Sequence, residues 1–229
     1  MRTPARRAAV AAIAGLALAV ALPAAARPLM TRSEAVKLAR AVNLTADDVP
    51  GFTASAPSQT PGVDLWGGRR YARCSGRKAL GRALADVQAN FERKTAAGYE
   101  AIGSEVEVMP NAALVRKDIA IAKSARGRRC LLAELRATKP SNVKLVSAKL
   151  APLKPGINSG VALRLTLVLE SQGVRFPFYT DVLVIGKENV ETAVVFISAP
   201  NSGSRTDEDH YLNIVETRLD GQLYKDTIF

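Results

Sequence analysis

The chain has one histidine, two cysteines and one tryptophan in 229 residues, and aromatic residues make up only 5% of it. Each scarcity removes a class of function. A lone histidine and a cysteine pair without Cys-x-x-Cys spacing do not supply the ligands of a zinc site. Few aromatics and no nucleic-acid-binding motif argue against nucleic acid as a partner. Gly67-Gly68 precedes Arg69-Arg70, but the strand, glycine loop and helix that cradle a phosphate are missing. Asp47-Asp48 lacks the oxygen-ligand spacing of a calcium loop, so turn and cap formation is its ordinary reading. No metal and no cofactor is expected. Beyond residue 26 the sequence has no run of about 18 apolar residues, the length of a membrane-crossing helix, so no integral membrane segment is expected there.

What is present begins with an export signal. Arg2, Arg6 and Arg7 precede an uncharged apolar run over residues 8–22, which Pro23 and the small residues Ala24-Ala25-Ala26 close. That run is too short for a bilayer core of about 30 Å and suits the apolar region of a cleavable signal. Residues 1–26 are therefore read as a signal peptide and 27–229 as one mature, secreted domain. No cysteine stands near the cut, so lipid attachment there is not expected. Removing Arg2, Arg6 and Arg7 from the formal charge of +11 leaves +8. The excess falls in short clusters such as Arg69-Arg70, Arg73, Arg77-Lys78, Arg126 and Arg128-Arg129. Such a surface attracts anionic lipid headgroups or wall polymers through its long-range field, or is simply solvated. In an oxidising compartment Cys74 and Cys130 are expected to form a disulfide, with free thiols as the rival reading.

The pattern along the chain predicts an α+β fold with about six strands, in the order helix, loop, two strands, helix, four antiparallel strands and a last helix. Thr31 and Glu34 form a capping box ahead of Ala35, Val36, Leu38, Ala39 and Val42. The segment NLTADDVPGF then turns, and residues 53–70 read as an exposed loop or edge segment. Residues 83–92 and 101–109 are expected strands joined by a hairpin at 95–98. Pro110 and Asn111 open a helix with Val115, Ile119 and Ala122 on one face, and Gly127 is its expected stop. A second short helix or turn carries Cys130. Val161, Leu163, Leu165, Leu167 and Leu169 alternate as one face of a strand. The stretches 143–151, 174–186 and 190–198 are its neighbours, and short turns between them imply antiparallel pairing. Thr206 and Asp209 cap a last helix, with Leu212, Val215 and Leu219 inward and Gly221 as its stop.

Candidate chemistry is sparse. His210 stands behind Asp207-Glu208-Asp209, three acids that complement a helix N-terminus. Ser202 and Ser204 are near it in sequence but in no nucleophile-elbow context. Glu105 and Glu107 alternate with valines and read as a solvated strand face. Phe176 and Phe178 share one face of their strand and Tyr179 takes the other, the one place where a sheet could line an apolar pocket. Trp66 either plugs the core or stacks on a ligand. Arg164 and Arg175 lie within strands and are expected on the wet face, within reach of an anionic headgroup.

The layout resembles the secreted sensor-like domains of actinobacteria: the extracellular domain of PknH-type kinases and the LpqN-type lipoproteins, within the PsbP-like fold. The residues that carry the resemblance are NLTADDVPGF, Cys74, the strand pair ending at Val108, the helix leading to Cys130, the strand ETAVVFISAP, and a last helix through Glu216-Thr217-Arg218-Leu219. The chain departs from the first type in having two cysteines, and from the second in lacking a lipid-anchoring one. The resemblance implies a curved antiparallel sheet with flanking helices, acting as a non-enzymatic ligand- or protein-binding module at the cell envelope. The set proposed from sequence for ligand contact is Trp66, Arg164, Arg175, Phe176 and Phe178, and the partner an anionic lipid or wall component or an envelope protein. The alternative function is an envelope hydrolase with an unfamiliar site around His210.

Overall fold

The computed structural model describes residues 30–55, 69–76, 83–96, 98–137, 143–153, 160–201 and 203–225. The signal-like residues 1–26, Trp66, Gly67-Gly68, Arg77-Lys78 and Ser202 lie outside the described residues. Seven antiparallel strands form one open sheet in the order β1-β2-β3-β7-β6-β5-β4. The strands are β1 (Thr53–Ser55), β2 (Ala85–Thr95), β3 (Gly98–Val108), β4 (Lys144–Pro152), β5 (Gly160–Ser171), β6 (Val174–Lys187) and β7 (Val190–Ala199). The helices are α1 (Arg32–Val42), α2 (Arg69–Ser75), α3 (Ala112–Lys123), α4 (Ala125–Ala137) and α5 (Arg205–Lys225). The strand beyond the expected six is β1, a three-residue edge piece paired with β2.

The two central strands explain the layering. In β7, nine of ten residues are buried, and in β6 the run from Thr180 to Ile185 is buried throughout. A strand that is apolar on both sides needs cover on both faces. Leu183, Ile185, Val194 and Phe196 point to one face, where α1 contributes Ala35, Ala39 and Val42, and α5 contributes Leu212, Val215 and Leu219. Val182, Val184, Val195 and Ile197 point to the other, against Tyr71 of α2, Val115 and Ile119 of α3, and Leu131 of α4. Burying one such leucine, isoleucine or valine contributes about 1.5–3 kcal/mol. Gly186 sits where α3 crosses β6: a Cβ there would lie 2.6 Å from Val115 and 2.8 Å from Ile119, so the helix could not keep its distance from the sheet.

Local chemistry sets the helix ends. The Thr31 amide donates to Glu34 at 2.7 Å, and the Glu34 amide donates back to Thr31 Oγ1 at 3.3 Å, which is the expected capping box. Asn111 Oδ1 accepts from the Leu114 amide and opens α3. Three boundaries differ from expectation. Ser124 ends α3, and Gly127 lies inside α4; the chain turns so tightly between the helices that a Cβ on Gly127 would stand 2.0 Å from the Ile121 carbonyl oxygen. Ser204, rather than Thr206 and Asp209, opens α5: its Oγ accepts from the Asp207 amide. Gly221 does not stop α5, which runs on to Lys225.

Two links fasten the layers. A disulfide joins Cys74 at the end of α2 to Cys130 in α4. On the other face, Arg218 of α5 reaches the turn after α1, donating to the Asn43 carbonyl at 2.8 Å and to both oxygens of Asp48 at 2.8 and 2.7 Å. Burial pushes the Asp48 carboxyl up, but hydrogen bonds from Arg218 and Thr45 outweigh it and hold the group below the usual carboxylate range. Asn43 extends the node inward. Its side-chain amide donates to the Val87 carbonyl, and its oxygen accepts from Ser104 Oγ and the Leu44 amide.

Two outcomes are expected. Alkylation of the native protein labels neither cysteine without reductant and both after reduction, and equilibrium denaturation of the C74S/C130S variant shows a loss of about 4 kcal/mol in the chain-entropy account. Arg218→Met lowers stability by about 2 kcal/mol, because it removes charge-assisted hydrogen bonds and leaves a half-buried carboxylate behind.

Candidate functional site

Five ionisable groups, Arg164, Asp181, Arg205, Glu208 and Asp209, converge under the first turn of α5. Cross-strand register places Arg164 of β5 opposite Asp181 of β6. Arg164 Nε donates to both Asp181 oxygens, at 2.7 and 3.1 Å, and its terminal nitrogen donates to Oδ2 as well. This is the bidentate fork that suits arginine to a carboxylate. Glu208 descends from α5 onto the same pair. One of its oxygens accepts from Arg205 at 2.7 Å, and Arg205 also donates to Asp209 at 2.9 Å. The other Glu208 oxygen has the Arg164 terminal nitrogen at 3.6 Å, beyond hydrogen-bond reach. Glu208 is 1% exposed. Burial, then a hydrogen bond with Asp181 and its negative charge, push the Glu208 carboxyl up to about 8, while Arg205 pulls the other way. At neutral pH Glu208 therefore favours its protonated, neutral form. Two adjacent buried carboxylates avoid mutual repulsion in this way.

Beside Glu208 the surface opens into a recess between the ends of β3 and β7 and the start of α5. Phe52, Arg93, Glu100, Phe196, Ser198 and Tyr211 are among its walls. The guanidinium of Arg93 lies 4.4 Å from the Phe52 ring centre and donates to Glu100 at 2.9 Å. The rings of Phe196 and Tyr211 stack with centres 5.9 Å apart. The polar and aromatic groups are thus held in place before anything binds. The recess has room for about three water molecules. A cavity for a drug-sized or lipid ligand needs about 300 Å³ or more.

The described residues among those proposed from sequence, Arg164, Arg175, Phe176 and Phe178, are not gathered at one place. Arg164 faces α5 with its side chain 23% accessible and engaged with Asp181, whereas the expectation put it on the wet face. Arg175 is exposed and donates to Glu170 at 2.8 Å. Phe176 and Phe178 share the opposite face, against Leu169 and Leu167 of β5, and Phe178 packs on the core beneath α3 and α4. Their sharing of one face, with Tyr179 on the other, agrees with the strand alternation. His210 is on the exposed side of α5, its ring 5.4 Å from that of Tyr211. Glu105 is half-buried and accepts from Gln88 at 3.0 Å; with Glu107 and Asp86 it brings carboxylate oxygens within 4.8 Å of one another.

Asp181, Arg205 and Glu208 were missed as a group. A sequence signal for part of it existed: Arg164 and Asp181 are opposite charges at matching depth in strands expected to pair. Nothing in the run Asp207-Glu208-Asp209 marked the middle acid as the one turned inward.

No family model matches the chain. No curated protein matches it either. Among solved structures it is similar to the extracellular domain of PknH from Mycobacterium tuberculosis, with a TM-score of 0.46 and 11% identity, over 81% of this chain and 94% of that one.

The Glu208 proton gives the fold a pH dependence of defined sign. A carboxyl raised from 4.5 to about 8 binds its proton in the folded chain before it does in the unfolded one. Its contribution is complete below about 4.5, declines as pH rises, and is gone above about 8. Thermal melts across this range should show the wild type losing stability with rising pH relative to Glu208→Gln, whose neutral amide has no proton to lose.

Proposed function

We propose that residues 27–229 form an exported, non-enzymatic binding domain that works at the bacterial cell envelope as a sensor-like module. The observation that carries this reading is the recess beside Glu208. Its charged and aromatic walls are already paired with one another, and its size admits the polar tip of a partner rather than a whole lipid. Prearranged walls of this kind lower the ordering cost of binding. The signal-like residues 1–26 and the Cys74–Cys130 disulfide support an oxidising, extracytoplasmic setting. The partner is an envelope component: an anionic lipid or wall fragment met at the surface, or another envelope protein. Arg175, with its exposed guanidinium, is a further contact for an anionic group.

Native mass spectrometry of the protein recovered from its own culture medium tests this. The expected result is a retained small polar molecule or a co-purifying protein, reduced in the variant carrying Phe52→Ala and Arg93→Ala. A bare apo mass, together with ester hydrolysis that disappears in His210→Ala, would overturn the proposal in favour of the hydrolase.

A further inference from the structure

The excess positive charge is not spread evenly over the molecule. The sequences of α2, α3 and α4 carry ten arginines and lysines against two acids, Asp118 and Glu134. Helices α1 and α5, on the opposite face of the sheet, carry six basic and six acidic residues. One helical layer is therefore strongly basic and the other is balanced. Eight of the ten cations in the basic layer are arginines. Asp118 is buried and Glu134 pairs with Arg70 at 3.9 Å, so ten cations less two acids leave the three helices a formal charge of +8. Arg73, Arg116, Lys117, Lys123, Arg129 and Arg136 are exposed.

We infer that the α2–α4 layer docks the protein on an anionic phospholipid bilayer. The inference rests on the envelope-binding reading above and names the surface it uses. Arginine forks bind phosphate oxygens bidentately, which points to a phosphate-bearing partner. The cations extend over three helices, the longest 13 residues or about 20 Å, which matches a plane of headgroups. Among the described residues these helices have one aromatic, Tyr71, and it is 1% exposed, so they offer no platform on which nucleic-acid bases could stack. The Cys74–Cys130 bond holds α2 to α4, and Arg126 Nε donates to the Cys74 carbonyl at 2.8 Å, so the basic helices present their charge as one rigid unit. Docked in this way, the protein turns the recess beside Glu208, on the far face, away from the membrane.

Co-sedimentation of the mature protein with vesicles of phosphatidylglycerol and phosphatidylcholine tests the docking against a charge-matched control. The variant R116E/K117E/R129E changes the basic layer; R32E/K37E/R40E makes the same change in net charge on exposed positions of α1. The wild type should bind the anionic vesicles, weaken as salt rises, and ignore pure phosphatidylcholine. The α3/α4 variant should lose about tenfold or more in affinity and the α1 variant less than about twofold. Equal losses in the two variants, or no binding of the wild type to anionic vesicles, would overturn the inference. Should the α3/α4 variant melt below the wild type, R116Q/K117Q/R129Q makes the same comparison with R32Q/K37Q/R40Q. The recess is tested separately by its retained ligand, so loss of vesicle binding with ligand retained sinks the docking surface alone.

Discussion

Two central strands that are apolar on both faces impose the rest of the architecture. Once β6 and β7 lie side by side, water must be kept from both sides of the sheet, and neither helical layer is optional. The cover is assembled from unequal pieces. One layer is the two helices nearest the ends of the described chain, α1 and α5. The other is three helices inserted within the strand sequence. Each is then locked by a different chemistry: a covalent bond on the side of α2, α3 and α4, and a charge-assisted node between Arg218, Asp48 and Asn43 on the side of the terminal helices.

Element types were readable because periodicity survives without knowledge of partners. The alternating leucines of β5 and the Thr31–Glu34 box act locally, and both took the form expected. The helix boundaries that moved did so for tertiary reasons. Gly127 looks like a terminator on its own, but its lack of a side chain is needed for the tight passage from α3 to α4. Gly221 meets nothing within 4 Å, and α5 continues through it because that helix is held by residues on either side.

The candidate site was harder to read because it depends on register and on which way one turn of helix faces. Arg164 in isolation is a charge in a strand, and solvent is its default destination. Only the pairing with β6 supplies Asp181, and only the docking of α5 supplies Glu208. Two segments far apart in sequence, NLTADDVPGF and the end of the last helix, also met in space, through Asp48 and Arg218. Sequence order alone gave no reason to join them.

The strand order has a consequence for how the molecule is made. β3 has β7 as its inner neighbour, so residues 98–108 wait for 190–199 before the middle of the sheet can close. The Arg218–Asp48 contact spans 170 residues. A chain emerging amino end first, from a ribosome or from an export channel, therefore cannot complete its core until almost all of it is free. High separation between contacting residues slows folding. Such a chain becomes a finished domain only once its last helix is free.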